Sequence, residues 1–322
     1  MSRIANEELE RGLTMAENAG RHYVPKTKAE HLIVARRVRD GRLFSPHPGV
    51  YARSVWDAPE FCLRNAACTV RTLAKMHPDW IFTSFSAALI YGLWVPYYRC
   101  APICIAQPTC GYAQKSEPIA ARRLKHIDVR VEAGVRVTSL SQTLFECAID
   151  APASGALPVI DSAYRFRRKE LDGLWNFVNA HAKGRHGNAR ARMTLASASG
   201  RAESGGESMV RGRIIEEGFM PPTVLQAKFI DPLDHASTMR VDMLWELPGG
   251  RRVIGEVDGM IKYTDTGILQ DRTAVDALVD ERQRESRLNA LGLPVMRFLV
   301  KRAFEPGYIE SVLRAFDIPL AE

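Results

Sequence analysis

Residues 240–265 read RVDMLWELPGGRRVIGEVDGMIKYTD, and this stretch decides the fold. Residues 239–247 and 251–259 are two apolar, strand-like runs, and the PGG at 248–250 supplies the turn between them, so the runs are expected as antiparallel neighbours. The same stretch carries Asp242, Glu256, Asp258 and Lys262. Ionisable groups at the end of an apolar strand pair are costly unless a partner or a cation compensates them, so the site is either a water-exposed strand edge or a cation site. Glu256 and Asp258 stand two apart and leave the same face of their strand, and Asp242 is placed to face them across the pair. Carboxylates converging at about 4 Å repel one another unless a divalent cation lies between them. Oxygen-only ligands suit Mg²⁺ or Mn²⁺ better than zinc. Lys262, just after Gly259, is placed to orient an attacking water or to stabilise a phosphate oxyanion. Together Asp242, Glu256, Asp258 and Lys262 are the parts of a metal-dependent phosphodiesterase.

Working outward, the small-residue run SASGRAESGG at 197–206 marks a boundary near residue 195. After it come a helix from Ser204 to a stop at Gly218, strands at 223–230, 239–247 and 251–259, a helix at 274–292 and a last strand at 294–300. That order, helix, three strands, helix, strand, predicts a compact α/β domain over 196–322. Ser204-Gly205-Gly206-Glu207 has the S-x-x-E form of a capping box, which gives Glu207 a structural use at a helix start. Trp245 is expected in the core, and Arg282 and Arg284 are expected to face either solvent or the cleft, solvent being favoured for lone helix arginines.

The chain has 322 residues, 46% hydrophobic and 25% charged, which is ordinary for a soluble globular protein of two or three domains. No apolar run reaches the ~18 residues of a membrane span, and MSRIANEELERGLTM has no apolar export signal, so a cytoplasmic protein without a membrane partner is expected. Six cysteines in a chain of this size are expected as free thiols, since the C-x3-C-x5-C of Cys100, Cys104 and Cys110 lacks zinc-ligand spacing. The net charge of +7 favours polyanionic partners. Residues 161–213 alone carry eleven Lys/Arg against five Asp/Glu, either as a solvated helix face or as a phosphate-contacting surface.

Residues 1–55 read as two helices followed by a hairpin at 42–53, the order of a winged helix-turn-helix. Its candidate nucleic-acid contacts are Lys28, Arg36, Arg37 and Arg39 on the second helix, with Arg42 and Arg53 on the hairpin. Residues 56–195 read as a middle domain of mixed helix and strand, with one long helical run at 156–182. It shows no nucleophile frame, glycine-rich phosphate loop or histidine ligand spacing.

VDMLWEL and VIGEVDGMIKY, followed by DERQRESRLNALGLPVMRFLV, resemble the nuclease-like domains of the PD-(D/E)xK superfamily, in the group related to very-short-patch-repair endonucleases. The resemblance covers residues 203 to about 300. It implies a restriction-endonuclease-like α/β domain, with Asp242 and Glu256 as metal ligands and Glu207 reaching the same site. This sequence has Asp258 where that superfamily usually has lysine two residues after the glutamate, so Lys262 would have to act from further along. GRLFSPHPGVYAR, TSFSAALIYGLWVP and GVRVTSLSQTLFECAID look like the AbiEi-type antitoxin and transcriptional-regulator family, over residues 1 to about 180. That likeness implies an N-terminal winged helix, DNA binding and a cognate toxin as partner. Two functions of different class follow. One is a Mg²⁺-dependent DNA endonuclease. The other is a non-enzymatic regulator whose nuclease domain is degenerate.

Overall fold

The computed structural model describes residues 3–108, 118–259, 283–284 and 286–321. In chain order these form α1 (Arg3–Asn18), α2 (Lys28–Arg39), β1 (Leu43–His47), β2 (Val50–Arg53), α3 (Cys62–Met76), β3 (Ile81–Phe82), α4 (Ser84–Ile90), β4 (Ile103–Pro108), β5 (Ile119–Leu124), β6 (Val129–Glu132), β7 (Val135–Thr138) and α5 (Leu140–Asp150). Then follow α6 (Ala153–Phe166), α7 (Leu174–His181), α8 (Asn188–Ala196), α9 (Gly205–Glu216), β8 (Val224–Ile230), β9 (Thr238–Glu246), β10 (Arg252–Asp258), β11 (Val295–Leu299) and α10 (Tyr308–Ala315). The protein is of mixed α/β class. No helix among the described residues is long and apolar enough to cross a membrane.

The chain divides into two compact units, residues 1–150 with 169–186, and residues 151–168 with 187–322. These are not the expected divisions at 55 and 195. Across residue 55, α3 is built into the N-terminal helices: the buried His22 donates its backbone N–H to Thr72 Oγ1 (2.8 Å), and its ring Nε2 lies 3.0 Å from the Asn65 carbonyl. The helical run expected over 156–182 is broken after Phe166. α6 is buried from Ala153 to Ala163, whereas α7 buries Leu174 and Val178, and the charged RRKE between them has no apolar side chain to carry a shared face.

In the first unit, Thr27 caps α2 by accepting the Glu30 N–H, and Gly41 just beyond it takes φ +70°. α1 and α2 bury Leu9, Leu13, Ile33 and Val34 against Leu43 of the β1–β2 hairpin. A five-stranded sheet of order β5-β4-β3-β7-β6 follows, with α4 and α5 buried along most of their length.

The second unit is built on a four-stranded sheet of order β11-β10-β9-β8, in which β10 is antiparallel to β9 and parallel to β11. Val210 and Ile214 of α9 and Ile309 and Leu313 of α10 cover one face, against Met243, Trp245, Val253, Val257, Met296 and Phe298. Leu288, in the helical residues 286–290, covers the other face against Ala227, Val241, Leu244 and Ile254. Trp245 is fully buried, as expected, and donates its indole N–H to the Met220 carbonyl. It also explains the glycine inside β10, because a Cβ on Gly255 would stand 2.7 Å from the Trp245 ring.

α6 lies across α9 with almost no room between the backbones, since a Cβ on Gly212 would meet Ser154 Cα and N at 2.4 Å. The same crossing holds a buried ion pair. Asp161 accepts from Arg211 (2.6 Å), the Ser208 hydroxyl (2.7 Å) and the Ser199 N–H (2.8 Å). Several of the basic residues counted over 161–213 are thus tied within their own unit: Arg211 to Asp161, Arg213 to Glu216 and Glu217, Arg185 to Glu146.

Candidate functional site

The second unit brings two of the expected acids, Asp242 and Glu256, to one level of its sheet. β9 and β10 pair through Gly255 and Met243, one step short of Glu256 and Asp242. At that step the ladder changes hands. Ile254 donates its N–H to Pro294, on the β11 side, so the N–H groups that alternate with it face β9. The Val257 N–H is one of these, and it is taken at 2.9 Å by Asp242 Oδ2 rather than by a backbone carbonyl. Asp242 therefore replaces main chain at the strand ends, which fixes its carboxylate between the two strands.

The pleat breaks at this level on two strands. Met239 and Val241 pack with Leu244 in one cluster, whereas Met243 and Trp245 belong to the opposite one. On β8, Val224, Ala227 and Phe229 face one cluster and Leu225 the other. Regular alternation would put 241 with 243 and 225 with 227. The breaks at Asp242 and Gln226 occur in step, because Leu225↔Met243 and Ala227↔Val241 keep the same register on either side. Gln226 holds φ +56°, a left-handed conformation that costs a non-glycine residue about 1 kcal/mol.

The Gln226 amide donates to Glu207 Oε2 (2.8 Å) and to Asp242 Oδ1 (3.4 Å). Glu207 serves its helix as well: Ser204 Oγ accepts the Glu207 N–H, and the Glu207 carboxylate accepts from Ser204 Oγ and from the Glu203 N–H. So the cap expected of Glu207 is present, and the same carboxylate shares the Gln226 amide with Asp242. Burial pushes the Glu207 carboxyl above its ordinary value, and the Asp242 charge adds to this against its hydrogen bonds to Glu203, Ser204 and Gln226.

Glu256 is 6% exposed. Its Oε2 accepts from Arg284 at 2.7 Å, and its Oε1 is buried without a partner among the described residues. Burial raises its carboxyl above the ordinary value; the Arg284 hydrogen bond opposes this and the Asp242 charge reinforces it. Arg284 also donates to the Arg240 carbonyl, so it is turned to the strand ends and not, as favoured, to solvent alone. A helix-surface arginine carries no sequence sign of the carboxylate it will meet. Asp258, the last residue of β10, pairs with Arg297 of β11 at 3.4 Å. Lys262 and Arg282 lie outside the described residues, as does Cys110.

Among the described residues, no three His, Cys, Asp or Glu side chains are gathered closely enough to hold a metal ion as they stand. A Mg²⁺ site does not require three, since that ion keeps several waters and is commonly bound through one or two carboxylates. Asp242 and the unpartnered oxygen of Glu256 fit that demand. A buried, unpaired carboxylate oxygen is otherwise expensive to maintain. The five described cysteines are free thiols.

In the first unit, Lys28, Arg36, Arg39 and Arg42 are exposed, and Arg36 and Arg42 flank Asp40 at 3.8 and 3.3 Å. Arg37 and Arg53 turn inward. Arg37 is held by Glu10 and Asn6 of α1, and Arg53 by Glu10, Glu17 and Thr14 of the same helix. They clamp the hairpin and α2 to α1.

No family model matches the chain, and no curated protein matches it.

Proposed function

We propose that this chain is a DNA-binding protein whose second unit hydrolyses phosphodiester bonds, with Mg²⁺ or Mn²⁺ held by Asp242 and Glu256. The observation that carries this reading is Glu256, a buried carboxylate with one unpartnered oxygen, next to a second acid built into the strand ends. The order α9, β8, β9, β10, β11, with β11 returning parallel to β10, supports a restriction-endonuclease-like domain. A bound divalent ion would supply Lewis acidity and a water of lowered pKa. Asp242 and Glu256 orient that position from adjacent strands. Arg284 and Arg297, beside Glu256 and Asp258, place guanidinium groups where a phosphate would dock. In the first unit the α1-α2-β1-β2 order and the exposed Lys28, Arg36, Arg39 and Arg42 support a winged helix on DNA.

A second reading is favoured by Arg284 and Arg297. Each already balances an acid of the site, as expected of a degenerate nuclease domain in an AbiEi-like regulator that works with a cognate toxin. Supercoiled plasmid and single-stranded DNA incubated with Mg²⁺, Mn²⁺ or EDTA separate the two. Nicking that needs metal and is abolished by Asp242→Ala and Glu256→Ala supports the enzyme. DNA retention with no cleavage by any form, and no thermal stabilisation by either metal, supports the regulator.

A further inference from the structure

Gln226 has no part in the reading above, yet three features meet there. Its backbone is held at φ +56°, the pleat of β8 breaks at it in step with that of β9 at Asp242, and its side-chain amide reaches two carboxylates from two elements. A residue other than glycine keeps such a φ only where its surroundings impose it. What the conformation achieves is visible in the hydrogen bonds. The amide presents its hydrogens to one oxygen of Glu207 and one of Asp242, while Ser204 and the Glu203 N–H hold Glu207 from the helix side and the Val257 N–H holds Asp242 from the strand side. A neutral double donor suits this position. A cation would compete with the metal for the acids, and a fourth carboxylate would add repulsion.

We propose that Gln226 is a positioning residue of the cation site, tying Asp242 of β9 to Glu207 of α9 so that the helix-borne carboxylate anchors the strand acid in place for the cation. The proposal rests on the cation reading given above. Partners that orient metal-binding side chains typically change metal affinity by about 10- to 100-fold when removed.

Glycine is the informative replacement. It accepts a positive φ without strain and presents no amide, so backbone stability and metal affinity should move apart. The test is Mn²⁺ titration by calorimetry on the full chain, with thermal unfolding of the metal-free proteins, for wild type, Gln226→Gly, Glu207→Gln and the double variant. The expected result is a metal-free Gln226→Gly protein that melts no lower than wild type but binds Mn²⁺ about tenfold more weakly or worse. The double variant should bind no more weakly than Glu207→Gln alone, since both changes break one link. If Gln226→Gly does not fold, Gln226→Asn carries the same test: asparagine tolerates this φ but its amide is one methylene short. Mn²⁺ binding by the glycine or asparagine variant at wild-type strength overturns the role of Gln226 and leaves the cation site standing. Independent, multiplying losses in the double variant overturn it too. A wild-type protein that binds no Mn²⁺ overturns the cation reading and this proposal with it.

Discussion

Gly212→Ala tests how the second unit is held together. The added Cβ would lie 2.4 Å from Ser154 Cα and N and 2.6 Å from the Ala153 carbonyl carbon, whereas ordinary contact begins at 3.4 Å. The obstructing atoms are backbone on α6, so neither a rotamer change nor a flexible tip can relieve the clash. α6 and α9 must separate by about 1 Å, and a gap of that size forfeits a quarter to a half of each dispersion contact across it. The shift also strains the bond from the Ser154 N–H to Glu216 at the same crossing. Overpacking of this kind costs about 3 kcal/mol. Alanine recovers about 1 kcal/mol by its better helix propensity. The net loss of about 2 kcal/mol corresponds to a Tm lower by roughly 4–8 °C for a unit of this size. Thermal unfolding gives the shift, and amide hydrogen exchange read by mass spectrometry should show faster exchange in α6 and α9 before other helices of that unit. Gly173→Ala, at the N-cap of α7 where nothing lies within 4 Å and φ is −89°, serves as the clash-free control and should cost about 1 kcal/mol at most. A Gly212→Ala protein that melts with the wild type and exchanges normally in both helices would refute the close crossing.

Arg211→Met should cost about 3–5 kcal/mol by stranding the buried Asp161 charge, and Asp161→Asn combined with Arg211→Met should recover most of it, both read by urea unfolding. His22 is buried, and desolvation holds its imidazole below the ordinary value, against its bond to the Asn65 carbonyl. The unfolded chain therefore binds the proton more tightly, so the first unit's stability from this group is present above about pH 6.5 and lost as pH falls below it. Denaturation midpoints measured from pH 8 to pH 5 should show this decline in wild type and much less of it in His22→Gln. If the first unit binds DNA through its exposed arginines, Arg36→Ala and Arg42→Ala should each lower the slope of log K against log salt by about 1. Arg37→Ala, whose side chain is tied to α1, should leave that slope unchanged and lower the melting temperature instead.

The strand pair at residues 239–258 was legible because its information is local: β-rich apolar runs around a Pro-Gly-Gly turn, with Trp245 as an obvious core residue. The helix before it was legible for the same reason, through the Ser204 cap and the Gly218 stop, which takes φ +74°. Gln226 was not legible. One glutamine in a strand carries no periodic signal, and its importance lies in a backbone angle and in two acids from other elements. Sequence left Arg284 between solvent and cleft because a helix face shows only its own spacing, never the strand end opposite. Asp161 and Arg211 are fifty residues apart, and nothing in either segment names the other. His126 and His181 are fifty-five residues apart with no ligand spacing between them, yet their rings stack with centroids 4.3 Å apart. Small residues at 197–206 look like a linker, whereas the passage between the units at 168–169 lies inside a charged run that a helix tolerates and so leaves no mark in the sequence.

The chain enters the second unit at residue 151, leaves it at 169 and returns at 187. During synthesis this ordering has a temporal cost. α6 emerges with eleven consecutive residues destined for burial, from Ala153 to Ala163, and α9, which crosses it at Gly212, ends fifty residues after α6 does. At translation rates of ~5–20 residues per second that interval is about 3 to 10 s. For that time the nascent α6 lacks the helix that crosses it at Gly212. It also means that a fragment beginning at residue 196 would lack α6 and leave the crossing face of α9 bare, so an excised version of this unit has to begin at residue 151.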